Sequence, residues 1–317
     1  MEMLHADPVV PVLLGLSIVL IAAKIGAVIA NRFRQPELMG ELIAGICVGN
    51  LTLLNYQGLE FIAHDNQIAI FAELGVIILL FEVGLESKLS EVMEVGVKSC
   101  IVAVIGVVTP FLIGYYVSGY IIPDLDNINK IFMGAILTAT SVGISARVFK
   151  DLDFIKSAEA RIVLGAAVID DVFGLIILAI VSAMAQTGSI ELSSISIISL
   201  KAIGFVVLSL VLGVLLARRT VKLLSVFHIP GMMLTTALVL CFIVSYLAQQ
   251  AGLATIVGAF CIGLVLEEVD FKSFTSEHSI SDYIKPISLF LVPVFFVLTG
   301  IHVDLAVFTD PTIIYAA

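Results

Sequence analysis

Long apolar runs recur along the whole chain, separated by short segments that hold most of the charge. Ten runs are long enough for helical membrane spans: 9–30, 36–54, 67–86, 95–118, 130–149, 160–186, 195–217, 232–249, 252–267 and 284–302. An eleventh opens at 311–317. Nearly continuous apolar stretches of this length, rather than one-sided amphipathic ones, predict an all-α polytopic membrane protein.

The apolar pattern also repeats. LMGELIAG at 38–45 matches IVGAFCIG at 256–263 at an offset of 218, and LLFEVGL at 79–85 matches FFVLTGI at 295–301 at an offset of 216. The first and eighth spans fall on nearly the same offset. Span seven lies between the copies and makes them start on opposite sides of the membrane, so the pattern predicts inverted repeats. Six spans before span seven require six after it. This predicts that the chain is truncated at its C-terminus, lacking about 80–90 residues, if the repeat is complete.

Composition agrees with this class. The 317 residues are 60% hydrophobic and 13% charged, and the mean hydropathy is +1.15, too apolar for a soluble domain of this size. No basic n-region or small-residue cleavage site opens the chain, so no removable signal peptide is expected. Thirteen of the 16 basic residues fall on one side of the predicted topology. Arg32, Arg34, Lys88, Lys98, Arg218 and Arg219 are among them, and they make that side cytoplasmic and put the N-terminus outside. The net charge of −10 is spread over loops, with no basic patch, so nucleic acid is excluded as a partner. Cys47, Cys100, Cys241 and Cys261 lie in apolar runs at spacings that suit neither a disulfide framework nor zinc. They read as small buried hydrophobes. His5, His64, His228, His278 and His302 have no metal-ligand spacing and read as surface residues.

Chemistry is concentrated in two spans. In the sixth, VLGAAVIDDVFGLIILAIV at 163–181 is apolar except for Asp170 and Asp171. Each carboxylate costs about 2.5–3.5 kcal/mol at a membrane-helix centre. Adjacent helical residues point about 100° apart, so one can face an ion while the other faces a partner. Desolvation and a neighbouring like charge disfavour the ionised form of a carboxyl. A carboxyl poised in this way holds either a proton or a small cation, and each excludes the other. That competition is the core of proton–cation exchange. The alternative is a structural ion pair, for which Lys24 and Lys201 are the candidate partners. In the fifth span, AILTATSVGISA at 135–146 gathers Thr138, Thr140, Ser141, Gly143 and Ser145. Hydroxyls and glycine loosen a helix and expose carbonyl oxygens, which suit hard cations. Glu41, Glu73 and Glu82 also lie inside spans, where each can line a vestibule or pair across helices. Glu86 and Arg147 sit at span ends and read as interface residues, with a gating or pH-sensing pair as the alternative.

ATSVGISARV at 139–148 and LGAAVIDDVFGL at 164–175, with QPELMGELIAGICVG at 35–49 and FEVGLE at 81–86, closely resemble prokaryotic sodium/proton antiporters of the monovalent cation:proton antiporter-2 family. The resemblance implies thirteen spans and a homodimer in the cytoplasmic membrane. It implies a scaffold domain over 1–90 and 221–308, and a transport domain over 91–190 with its second half opening at 309–317. A linker helix at 191–220 joins them, and the transport domain slides as an elevator. Asp171 matches the carboxylate that binds Na+ (or Li+) or a proton. Asp170 matches the neighbour that pairs with a lysine in electrogenic members, and Thr140 and Ser141 match the unwound crossover. The Asp pair implies two protons per sodium, and the function implied is pH homeostasis. No cofactor is implied beyond the transported ions. The family's lysine and second broken helix belong to spans that the sequence does not contain.

A potassium/proton exchanger or potassium efflux protein on the same scaffold is the competing reading, although such proteins often carry Gln-Asp at this position. An intramembrane aspartyl protease needs two carboxylates on facing helices sharing one water, which adjacent residues cannot supply. The chain is therefore read as a transporter and not as an enzyme.

Overall fold

The computed structural model describes residues 9–54, 56, 58–187, 192–224, 231–267 and 279–309. The expected eleventh span at 311–317, together with His5, His228, Lys272, His278 and Asp310, lies outside the described residues.

The chain is helical from end to end among these residues. The helices are α1 (Val9–Arg32), α2 (Glu37–Gly49), α3 (Phe61–His64), α4 (Asn66–Leu85), α5 (Leu89–Glu94), α6 (Gly96–Ile121), α7 (Asn127–Thr138), α8 (Val142–Asp151), α9 (Ala158–Thr187), α10 (Leu192–Leu224), α11 (Met232–Gln250), α12 (Thr255–Glu267) and α13 (Ile280–Ile301). Short 3-10 turns follow α2 at Asn50–Leu54 and α13 at Leu305–Thr309.

Among the described residues, seven helical segments are long and apolar enough to cross a membrane, with α7 and α8 together forming one of them. The expected spans 36–54, 160–186 and 252–267 fall on α2, α9 and α12. Of these, α2 and α12 have 13 residues each, well short of the roughly 20 that cross a hydrocarbon core. Local chemistry sets several helix ends. The Asp65 carboxylate accepts the Gln67 N–H at 2.8 Å at the start of α4, and Asp126 accepts the Asn129 N–H at 2.8 Å at the start of α7. After α11, Gly252 takes φ +90°, and the Leu253 N–H closes back on the Ala248 carbonyl at 3.0 Å.

The chain divides into two compact units. The first comprises the described residues up to Leu79 and from Ile284 onward; the second runs from Leu80 to Tyr283. In the first, α1, α3, the start of α4 and α13 bury Leu16, Val19, Ile62, Ile68, Val294 and Val297. Its helices cross backbone to backbone, α1 on α2 at Gly26 and Gly40, and α2 on α13 at Gly45 and Gly300. In the second, α6 meets α7 at Gly114 and Gly134. The end of α4 meets α12 at Gly84 and Gly263, and α11 meets α12 where Gly258 lies against Val244 and Ser245. Small residues at crossings are how apolar helices gain close van der Waals contact where lipid offers no hydrophobic driving force.

The outer faces are apolar. Leu13, Ile21, Ile25 and Val28 on α1, Ile101 and Ile105 on α6, and Leu200, Ile203 and Val211 on α10 are all exposed, as lipid-facing surfaces require. The cysteine expectation needs a correction. All four are free and Cys241 and Cys261 are buried, but Cys47 and Cys100 are exposed. A thiol is apolar enough to sit on such a face, so an apolar neighbourhood in sequence does not imply burial in a membrane protein.

Candidate functional site: a broken helix facing two aspartates

The fifth apolar run is not one helix. α7 stops at Thr138, residues Ala139–Ser141 are not helical, and α8 begins at Val142. Ala139 has φ −66°, ψ 118°, and Ser141 has φ −84°, ψ 101°. Local hydroxyls hold the ends of the break. Thr138 donates its hydroxyl to the Ala135 carbonyl at 2.7 Å, and the Ser141 hydroxyl accepts the Ile144 N–H at 3.4 Å as the N-cap of α8. The break aims two helix ends at one place. The C-terminus of α7 carries partial negative charge and the N-terminus of α8 partial positive charge. Ser141→Ala is expected to cost about 0.5–1 kcal/mol, the low end for an N-cap because the bond is long. Thermal unfolding of the purified protein checks this.

A cavity of about 320 Å³ opens at the break. Asp170, Asp171 and Gly174 of α9 line it opposite Thr138, Ala139 and Thr140, with Phe132 and Ala254 completing the wall. Asp170 is 8% exposed. The Thr140 hydroxyl donates to the Thr138 carbonyl at 3.3 Å and also stands beside the Asp170 carboxyl. A hydroxyl has one proton to give, so these two acceptors compete for it. Asp171 is half-buried, and its Oδ2 is shielded from solvent with no hydrogen-bond partner among the described residues. A shielded carboxylate oxygen without a donor beside it is costly unless a proton or a cation visits it.

Neither aspartate has a basic partner among the described residues. Lys24 and Lys201, the candidates for a structural ion pair, are both exposed on their helices. Of the four expected ion-binding residues, Asp170, Asp171 and Thr140 share the cavity, whereas Ser141 uses its hydroxyl to cap α8.

The remaining candidates lie elsewhere. Glu73 is exposed on α4, and Glu41 is buried on α2. Glu82 is 1% exposed and forms an ion pair with Lys150 at the end of α8. Lys150 also lies 3.9 Å from Glu86. Arg147 donates to Asp151 at 2.7 Å. The Arg147–Asp151 pair was available from its i, i+4 spacing. The Lys150 contacts were not, because they join segments far apart in sequence.

Comparison with known proteins places this architecture. The family model described as "Sodium/hydrogen exchanger, transmembrane" matches residues 17–317. The chain is 38% identical to the High-affinity Na(+)/H(+) antiporter NhaS3 of Synechocystis sp., over 93% of this chain and 69% of that protein. It is 31% identical to the Na(+)/H(+)-K(+) antiporter GerN of Bacillus cereus, over 91% of this chain and 70% of that protein. The solved structure of the sodium proton antiporter MjNhaP1 from Methanocaldococcus jannaschii shares the fold, with a TM-score of 0.64 at 18% identity, over 96% of this chain and 73% of that one. With a family model covering nearly all of its length and relatives of this similarity, the chain belongs to the transmembrane sodium/hydrogen exchanger family.

Proposed function

We propose that this protein exchanges Na+ (or Li+) for H+ across the cytoplasmic membrane, with Asp171 as the carboxylate that alternately holds the cation and the proton. One observation carries the reading: Asp171, whose Oδ2 is shielded and without a hydrogen-bond partner among the described residues, lines the cavity at the broken helix together with Asp170 and Thr140. Carboxylate, hydroxyl and carbonyl oxygens are the donors a small hard cation prefers. The relatives named above as sodium/proton antiporters support the choice of ion.

Further detail follows from the same reading. The Asp pair marks an electrogenic exchanger of the antiporter-2 type, moving more than one proton per sodium. The N-terminus is outside and the protein works as a homodimer. Residues 1–90 and 221–308 form the scaffold, 191–220 the linker, and 91–190 the transport domain that slides as an elevator, with 309–317 opening its second half. The glycine crossings support the inverted repeat behind this mechanism. The α1–α2 crossing at Gly26 and Gly40 has its counterpart, 218 residues on, where Gly258 of α12 meets Val244 of α11. The α2–α13 crossing at Gly45 and Gly300 has its counterpart at Gly263 and Gly84.

The test is Na+-driven proton movement in liposomes with the membrane potential set by ionophore. Wild-type exchange is expected to accelerate when the potential pulls net positive charge in the direction of proton flux. Asp170→Asn is expected to keep exchange but lose most of that voltage dependence, because one titrating group has been removed. Potassium/proton exchange is the second reading, favoured by the K(+) in the name of GerN. Exchange driven by K+ but not by Na+ establishes it instead.

A further inference from the structure

At the far end of the broken helix, Lys150 lies between two acidic residues four positions apart, Glu82 in the last turn of α4 and Glu86 just past its end. It is paired with Glu82 and is 3.9 Å from Glu86. Resting on the sliding-domain reading above, we infer that Glu82 and Glu86 form a two-position track along which Lys150 steps as α8 moves between the two transport states.

Four observations converge on this. First, Glu82 is almost fully buried, and Lys150 is its ion-pair partner among the described residues. A buried carboxylate left unpaired is strongly penalised, so the pairing weights the equilibrium toward the state with Lys150 on Glu82. Secondly, Glu86 follows the last residue of α4, its N–H closing the final turn on the Glu82 carbonyl at 3.0 Å, and its side chain is 24% exposed. A handover between them keeps the ammonium compensated through the step. Thirdly, the track is held in place. α4 is pressed against α12 between the two glutamates, where a Cβ on Gly84 would meet the Phe260 carbonyl oxygen at 2.5 Å and the Gly263 Cα at 2.9 Å. Lys150 sits instead at the end of a ten-residue helix that begins at the break, so a shift at the break is carried to it. Fourthly, the neighbouring charges are already engaged. Arg147 holds Asp151 at 2.7 Å, and Arg161 holds Glu91 at 2.5 Å. Lysine suits the role because its ammonium is a compact charge with rotatable donors on a flexible stem, where arginine would lock into one fork. Single-turn steps of one packed element past another are a known form of bistable switch.

The experiment reads the two states directly. In the intact protein with the exposed Cys47 and Cys100 replaced by serine, Ala135→Cys places a thiol on the cavity wall. A membrane-impermeant maleimide is then applied from either side of the membrane. In the otherwise wild-type protein the thiol is expected to label from both sides. Glu86→Gln removes the outer position, and labelling from the side opened by the step is expected to slow about tenfold, a shift of about 1.4 kcal/mol between the states. Swapping only one rung, Glu82→Lys with Lys150→Glu, sets the transplanted carboxylate against Glu86 at the outer position and is expected to stay skewed. Adding Glu86→Lys is expected to restore the balance. An unchanged balance in Glu86→Gln, or full recovery by the two-residue swap, overturns the track and leaves the sliding-domain reading standing. Labelling from one side only in the wild-type background overturns that reading itself, and the track with it.

Discussion

Asp171→Asn is expected to abolish sodium-driven proton movement, leaving less than about 1% of wild-type exchange, which corresponds to at least about 2.7 kcal/mol of lost catalysis. Asparagine keeps the size and shape of the side chain but can neither release a proton nor neutralise a cation. The size of the effect follows from what surrounds the group. Oδ2 of Asp171 has no hydrogen-bond partner among the described residues, and no basic side chain there stands ready to compensate a cation-free state. Asp170 does not substitute. Its carboxyl stands beside the Thr140 hydroxyl, whereas the shielded Oδ2 of Asp171 has no such neighbour. Proton fluxes in liposomes for wild type, Asp171→Asn and Asp170→Asn, measured at matched protein content, separate the two roles. Comparable exchange in wild type and Asp171→Asn contradicts the assignment.

The second large effect is on stability. Gly263→Ala is expected to destabilise the protein by about 1–3 kcal/mol, or to prevent its accumulation in the membrane. A Cβ on Gly263 would lie 2.5 Å from the Phe81 carbonyl oxygen, 2.8 Å from the Gly84 Cα and 3.0 Å from the Gly84 carbonyl carbon. All three are backbone atoms of α4, so no side-chain rotation relieves the overlap and the helices must separate. Separation loosens every contact along the crossing, because dispersion falls steeply with small gaps. Gly96 and Gly106 of α6 are the controls. A Cβ on either meets nothing within 4 Å, and their alanine variants should match or exceed wild type, since alanine favours the helix by up to about 1 kcal/mol. Thermal unfolding in detergent, read by intrinsic fluorescence or aggregation onset, ranks the three variants. Equal transition temperatures for all of them contradict the close-crossing account.

The break at Ala139–Ser141 was legible in the sequence because its cause is local. Thr138 and Ser141 hold the two helix ends with their own hydroxyls, and hydroxyl-rich segments advertise that competition with the helix ladder. The Asp pair was legible for the opposite reason, since charge in an apolar run has few uses. The lengths of α2 and α12 were less accessible. Apolar residues continue from α2 into the 3-10 turn at Asn50–Leu54, and hydropathy does not register where an apolar chain changes its winding. The exposure of Cys47 and Cys100 was hidden because lipid and protein interior select the same side chains. Glu82 and Lys150 were each visible, but their pairing depends on how α8 packs on the end of α4, and nothing in the local sequence of either carries that information.

The most direct measurement of the central claim is proton release on cation binding. Purified protein in weakly buffered detergent solution is titrated with Na+, with choline as the control cation, while a pH dye reports free protons. If Asp171 holds either a proton or sodium, Na+ should release at least about one proton per protein, and more than one where the exchange is electrogenic, because binding a metal to a carboxylate requires its deprotonated form. Asp171→Asn should release none. Sodium binding without proton release, or equal release from Asp171→Asn, contradicts the claim that this carboxylate is the point of exchange.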